Sequence, residues 1–438
     1  MMTLALFFGL FAVAGQPESD FGLRDWPGND RAALRIPDDL WGEVREHAGF
    51  DGSIGYSRAE MARYGRDKHV LQSTLNLFSD VRAVTRETGR ISDEMLSSAR
   101  RGRISDIVQN AYTLLDVPAA RGIVAPDSSS WGVPWIPSGS TPLEALEALA
   151  MHFGSSSEAP PVLSEDAQPH WDRLPMPIQR LIVRMLVADA VARPWIRASI
   201  DPELIRSAAV EQLRLAGVDG RSLSGASYSF DQALAGAQEL WRENPEGTGF
   251  DPRPAPASKA LLENFDQSMM AYASIIYTRH AEAAIAEFEA WRTQSRWEPD
   301  PDRPLRGFRF DTPLGPVRIL SSGNDRLAVG IEVPMEEVAR LGTLSEPNGV
   351  ALVVDLGGDD TYIGRIGTPN LAGIASGTGD GLLRPIATVV DLGGNDTYDA
   401  SGRDGAIACG FFGIGAIFDL RGDDTYIGAG SSISRALY

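Results

Sequence analysis

This chain is poor in the residues that most often carry chemistry. Its one cysteine, Cys409, excludes an internal disulfide. Its five histidines, His47, His69, His152, His170 and His280, include no His-Glu-x-x-His and no pair at zinc-ligand spacing. It has no Gly-x-Ser-x-Gly elbow and no phosphate loop. Positive charge is scarce: lysine occurs only as Lys68 and Lys259, and 40 basic residues stand against 59 acidic ones, a net charge of −19. That balance argues against a nucleic-acid partner, whose phosphates demand a basic face. Long apolar runs are scarce as well. Residues 3–15 form the nearest approach to a membrane segment and are too short to span a bilayer comfortably. Ala12-Val13-Ala14 supplies a small-x-small cleavage site, so residues 1–15 read as a signal peptide. The expected product is secreted, periplasmic or held at the cell envelope, with no integral span beyond that signal.

What the chain does have is an octapeptide in three near-copies. They are Asp355-Leu356-Gly357-Gly358-Asp359-Asp360-Thr361-Tyr362, Asp391-Leu392-Gly393-Gly394-Asn395-Asp396-Thr397-Tyr398 and Asp419-Leu420-Arg421-Gly422-Asp423-Asp424-Thr425-Tyr426. Their starts lie 36 and then 28 residues apart. Each follows an apolar β-forming run, such as Leu352-Val353-Val354. Gly, Asn and Asp at the centre favour a tight turn, and Thr-Tyr resumes extended backbone, so each unit reads strand, turn, strand. A worn earlier copy is read at Val317–Asp325. Ala372–Gly377 resembles Gly405–Gly410 and aligns Ile374 with Ile407. A unit recurring at this period predicts a stacked repeat array, here a parallel β-helix-like β-solenoid.

Stacking in register would place equivalent acids about 4.8 Å apart. Asp355, Asp391 and Asp419 would form one column, Asp360, Asp396 and Asp424 a second, and Asp359, Asn395 and Asp423 a third. Two carboxylates at that spacing repel by roughly 1 kcal/mol in water and more where water is excluded. Three things make such a column tolerable: a cation within it, raised pKa values, or bonding of each acid to its own turn. Calcium suits the first, since it takes several carboxylate and carbonyl oxygens. The bland reading is that these residues only shape turns by side-chain-to-backbone hydrogen bonds. The nine residues of the three columns are the candidate metal ligands.

The tract from Gly358 to Tyr362, with its equivalents Gly394–Tyr398 and Gly422–Tyr426, resembles the calcium-binding nonapeptide repeats of secreted RTX proteins. That resemblance implies ligand roles for Asp360, Asp396 and Asp424. Asp-Leu stands here where those repeats begin with Gly-Gly, and tandem nine-residue spacing is absent. The longer pattern also looks like the Asp-x-Gly-Gly-x-Asp-x-Tyr repeats of exported bacterial proteins. The resemblance covers about residues 317–438.

The rest of the chain reads as helical. The expected fold is α+β in two domains: an irregular segment at 16–50, a mostly α-helical domain at 51–298, a Pro-Asp linker at 299–306 and the β-solenoid domain at 307–438. Capping boxes occur at Ser57–Glu60 and, with Pro at the first helical position, at Thr141–Glu144. A buried helix is expected at 175–193, stopped or kinked by Pro194, with Asp189 either ending its apolar face or holding a partner. The longest helix is expected at 257–293. Trp131 and Trp135, on a Pro-Gly-Ser loop, read as packing residues.

Two functions fit. The first is an exported, non-enzymatic protein whose repeat turns bind calcium or a similar cation and serve a structural, adhesive or binding role, with an envelope component or polysaccharide as partner. A further partner would cap the last repeat. The second is a parallel β-helix enzyme, such as a calcium-dependent polysaccharide lyase, with Arg365, Arg384 or Arg403 as base.

Overall fold

The computed structural model describes residues 104–114, 131–154, 162–201, 264–300, 304–369 (less 332 and 348), 384–400 and 413–428, with isolated positions between them. The expected signal peptide, the Ser57 capping box, Arg403 and Cys409 lie outside the described residues.

Five described helices precede the strands: α1 (Ile104–Leu114), α2 (Pro142–Phe153), α3 (Gln168–Trp171), α4 (Met176–Ser199) and α5 (Gln267–Ser295). In α2 the Thr141 hydroxyl accepts from Glu144 N, and the Glu144 carboxylate accepts from Thr141 N, the reciprocal cap read from the sequence. Helix α5 starts later than expected, because Asp266 Oδ1 accepts from Ser268 N and Met269 N and fixes the first turn there. Helix α4 continues through Pro194. Its buried face does not end at the proline: Ala192, Arg193 and Ile196 carry it onward, and that burial outweighs the missing N–H. Asp189 has its partner in Arg193, which donates from Nε and Nη2 at 2.8 and 2.9 Å, and Arg193 Nη2 also reaches Leu314 O. Trp131 is buried and Trp135 packs against the core, stacked on His152.

The strands are β1 (Phe308–Thr312), β2 (Gly315–Ile319), β3 (Arg326–Val329), β4 (Leu344–Glu346), β5 (Leu352–Asp355), β6 (Thr361–Gly364), β7 (Ile386–Asp391), β8 (Thr397–Ala400), β9 (Ile414–Asp419) and β10 (Thr425–Gly428), with a short helix α6 (Met335–Leu341) before β4. They form two five-stranded sheets, ordered β1-β2-β5-β7-β9 and β10-β8-β6-β3-β4. All pairings are parallel except the β1–β2 hairpin. Each octapeptide carries the chain from the first sheet to the second.

The β-solenoid expectation is therefore corrected. The strands make two open sheets, neither closed on itself, and the first begins with an antiparallel hairpin. The physical reason lies in the apolar runs. Leu352 and Val354 pack in one cluster with helix residues such as Leu181, Met185, Ala273 and Phe288, whereas Val353 packs in a second cluster with Leu327, Tyr362 and Tyr398. Strands β5, β7 and β9 thus bury both faces, one under α4 and α5 and the other against the second sheet. A sheet apolar on both faces needs cover on both. The helices and strands accordingly share one hydrophobic core in a helix–sheet–sheet stack. Tyr277 of α5 bonds Thr388 of β7 across that boundary.

Among the described residues, no helix is long and apolar enough to cross a membrane. Of the second aligned pair, Ile407 bridges to Ile366, and Ile374 lies outside the described residues.

Candidate metal centre

Parallel pairing in register sets the turns one above another. Asp355 pairs with Asp391 and Asp391 with Asp419; Thr361 pairs with Thr397 and Thr397 with Thr425. The pairs Ile319↔Val354 and Arg326↔Thr361 bring Leu320–Asp325 level with Asp355–Asp360. There are thus four rungs: 320–325, 355–360, 391–396 and 419–424. The glycine at the fourth position of each turn is what allows so close a stack. A Cβ on Gly394 would lie 1.8 Å from Gly358 O, and one on Gly422 1.7 Å from Gly394 O. The third position is less tight and holds Ser322, Gly357, Gly393 and Arg421; a Cβ on Gly357 would lie 3.0 Å from Gly393 O.

Side chains tie each rung to the next in two opposite senses. The N–H groups of Asp325, Asp360 and Asp396 donate to Oδ1 of Asp360, Asp396 and Asp424, at 2.5, 2.6 and 2.6 Å. In the reverse sense, the N–H groups of Asp359, Asn395 and Asp423 donate to Oδ1 of Asn324, Asp359 and Asn395, at 2.9, 2.9 and 3.0 Å. The third column, Asp359, Asn395 and Asp423, is exposed and works as this second ladder. The structure does not bring it into an acid cluster.

The first two columns meet in the interior. Asp355 and Asp391 are fully buried. Each accepts at Oδ1 from the N–H two residues on, Gly357 or Gly393, both at 2.8 Å. Each accepts at Oδ2 from a tyrosine hydroxyl, Tyr362 at 2.5 Å or Tyr398 at 3.0 Å. Tyr426 does the same for Asp419 at 3.2 Å. The three rings stack face to face, with centroids 4.7 and 4.6 Å apart. The candidate ligand columns do not include these tyrosines, although their fixed place at the end of each octapeptide is a visible signal.

Two groups of carboxylates result. One oxygen each from Asp355, Asp360 and Asp396 lies within 4.8 Å of the others, and the same holds for Asp391, Asp396 and Asp424. Asp360 is 2 % and Asp396 1 % exposed, and Oδ2 of each is buried with no hydrogen-bond donor. Asp419 contacts Asp424 but falls in neither group. The first rung differs. There Leu320 and Leu327 stand level with Asp355 and Tyr362, and Oδ2 of Asp325 accepts from Ser321 N at 2.7 Å. The orphaned oxygen thus appears where an inner aspartate faces the outer one.

Burial is the first cause that raises these acids, and neighbouring carboxylates add to it. Asp391 is pushed up to about 9, Asp360 and Asp424 to about 7 and Asp396 to about 6, and Asp355 lies well above the ordinary carboxylate range. The contact within a pair raises Asp355 and lowers Asp360, so a proton shared by them rests on the inner acid. Burial and the adjacent aspartates also hold the Tyr362 and Tyr398 phenols protonated as donors. Among the described residues no basic side chain pairs with Asp355, Asp360, Asp391 or Asp396. Arg292 donates instead to Leu392 O at 2.5 Å and to Glu298 at 2.7 Å.

A buried set of carboxylates with no basic partner must take up protons or a cation. Its oxygen-only donors can hold a metal ion, of the hard class rather than zinc or copper. Two of the three arginines expected as bases, Arg384 and Arg365, sit elsewhere. Arg384 precedes β7 while Asp391 ends it, a separation of roughly 20 Å along an extended strand. Arg365 follows β6, at the end away from Asp360. Arg384 instead donates to Gly349 O and is held down to about 10, by burial first and then by Arg193.

No protein-family model, no curated protein and no solved structure matches this chain.

Proposed function

We propose that this chain is a non-enzymatic structural or binding protein, exported to the cell envelope, whose stacked aspartates take calcium. One observation carries the reading: Asp360 and Asp396, each with a buried Oδ2 that has no donor, belong to groups of three carboxylates. A cation there would neutralise buried charge that no basic side chain among the described residues pairs with. Calcium fits better than magnesium, because it accepts irregular oxygen geometry and sheds its water more readily. The ion would act as a clamp across rungs, joining strands of both sheets. The apolar run at 3–15 and the net charge of −19 support export to a calcium-rich setting. The exposed acids Asp359 and Asp423, with Asn395, offer a polar edge suited to an envelope polymer such as a polysaccharide.

The test is calorimetric titration of the EDTA-treated protein with calcium, paired with thermal melting. Binding is expected, with a gain of about 2.7 kcal/mol in stability when calcium stands at 100 times its Kd. Identical melting with calcium and with EDTA, and no heat of binding, would overturn the proposal.

A further inference from the structure

We infer that the two carboxylate groups form one bridged two-ion unit, in which Asp396 is the ligand common to both ions. This rests on the cation reading above and adds stoichiometry and coupling to it.

The geometry is asymmetric among the acids. Asp355 and Asp360 belong to the first group alone, Asp391 and Asp424 to the second alone, and Asp396 to both. Its backbone holds it at the junction: its N–H donates to Asp424 Oδ1, and its own Oδ1 accepts from Asp360 N, each at 2.6 Å. Its Oδ2 has no donor, and the residue is 1 % exposed. Charge counts the same way. Because one residue is shared, five carboxylates serve two positions. Two divalent cations would set four positive charges against the five carboxylates once their protons are displaced, whereas a single ion would leave most of them to be neutralised by protons. Two cations this close repel, and a carboxylate between them is the group that offsets that repulsion.

The array ends differently on its two sides. In the first rung Leu320 replaces the inner acid, and Asp325 is satisfied by Ser321 N. Beyond Asp424 no described acid supplies a third carboxylate. Two positions, rather than one per octapeptide, are therefore the full complement among the described residues.

The experiment is equilibrium dialysis with radioactive calcium on the full chain, for wild type and for Asp355→Asn, Asp424→Asn and Asp396→Asn. Asparagine keeps the Oδ1 acceptor that Asp360 N needs, and circular dichroism reports whether each variant is folded. Wild type is expected to bind two calcium ions. Asp355→Asn and Asp424→Asn should each retain one, and that ion should bind at least tenfold differently from the same ion in wild type. Asp396→Asn should lose both, or weaken both a hundredfold. Retention of one ion at wild-type affinity in Asp396→Asn would overturn the bridge and leave the calcium reading standing. If Asp396→Asn fails to fold, unchanged affinity of the remaining ion in the other two variants would overturn it equally. A wild-type protein that binds no calcium overturns the proposed function and this inference together.

Discussion

Leu320 stands one strand away from Asp355, at the same level, and the outer acid of each rung answers to that difference. Beside Leu320, the second oxygen of Asp325 finds a backbone donor; beside Asp355, the second oxygen of Asp360 finds none. The chain thus carries its own control for what the inner aspartate does.

Copying the first rung into the second gives the first prediction. The variant Asp355→Leu with Tyr362→Leu removes a buried acid and its phenol donor together, and leaves one buried donor, Gly357 N–H, without its acceptor. We expect a folded protein that loses no more than about 1–3 kcal/mol in EDTA and gains less from calcium. Thermal melts in EDTA and in calcium check both halves. Tyr362→Phe alone leaves Asp355 short of a donor and should cost about 1–2 kcal/mol.

The pH dependence follows from the direction of the shifts. Asp391, Asp360 and Asp396 are raised to about 9, 7 and 6 in the folded chain, well above the ordinary aspartate range. A group raised in this way binds its proton more tightly when folded. Its contribution is full below the unfolded pKa, near pH 4, and is lost as pH rises through the folded values. Metal-free protein should therefore melt lower at pH 9 than at pH 5, by about 5 °C or more. Saturating calcium should flatten that slope, and scanning calorimetry at several pH values measures it.

Gly394→Ala and Gly393→Ala separate two kinds of glycine. A Cβ at Gly394 falls 1.8 Å from a carbonyl oxygen of the rung before, so the stack must part; the expected loss is about 3 kcal/mol or more. At Gly393 the nearest atom, Arg421 Cβ, is 3.3 Å away, and the cost comes chiefly from its φ of 142°, a conformation that Arg421 at the same position of the next turn does not share. The loss there should be about 1–2 kcal/mol. Urea unfolding of the two variants tests the order.

The pair Asp189 and Arg193 joins α4 to the β1–β2 turn through Leu314 O. Arg193→Met strands a buried carboxylate and should cost about 3–5 kcal/mol, while adding Asp189→Leu should restore most of the loss. Chemical denaturation of single and double variants gives the coupling energy.

The turns were legible in the sequence because each is contiguous and repeats its own chemistry. The pairing of Asp355 with Asp391 follows once equal runs are laid side by side. The layering was not legible in the same way. Leu352-Val353-Val354 was read as one strand of a stacked array, although an unbroken apolar run is what a doubly covered strand requires, and the helices that cover it lie far earlier in the chain. Asp359 and Asp360 are adjacent and identical, so only burial separates the surface ladder from the interior cluster. Pro194 misled for a related reason: local preference marks a stop, while the packing of Ile196 lies outside any local rule.

The opposed side-chain ladders leave the architecture open to change in length. Each internal rung gives one bond and takes one bond on either side, so its account with its neighbours is balanced. A duplicated octapeptide with its flanking strands would slot between two existing rungs and leave no donor stranded, and a deleted one would let its neighbours close up. Tract length is then free to drift by whole units while the contacts at every junction stay the same.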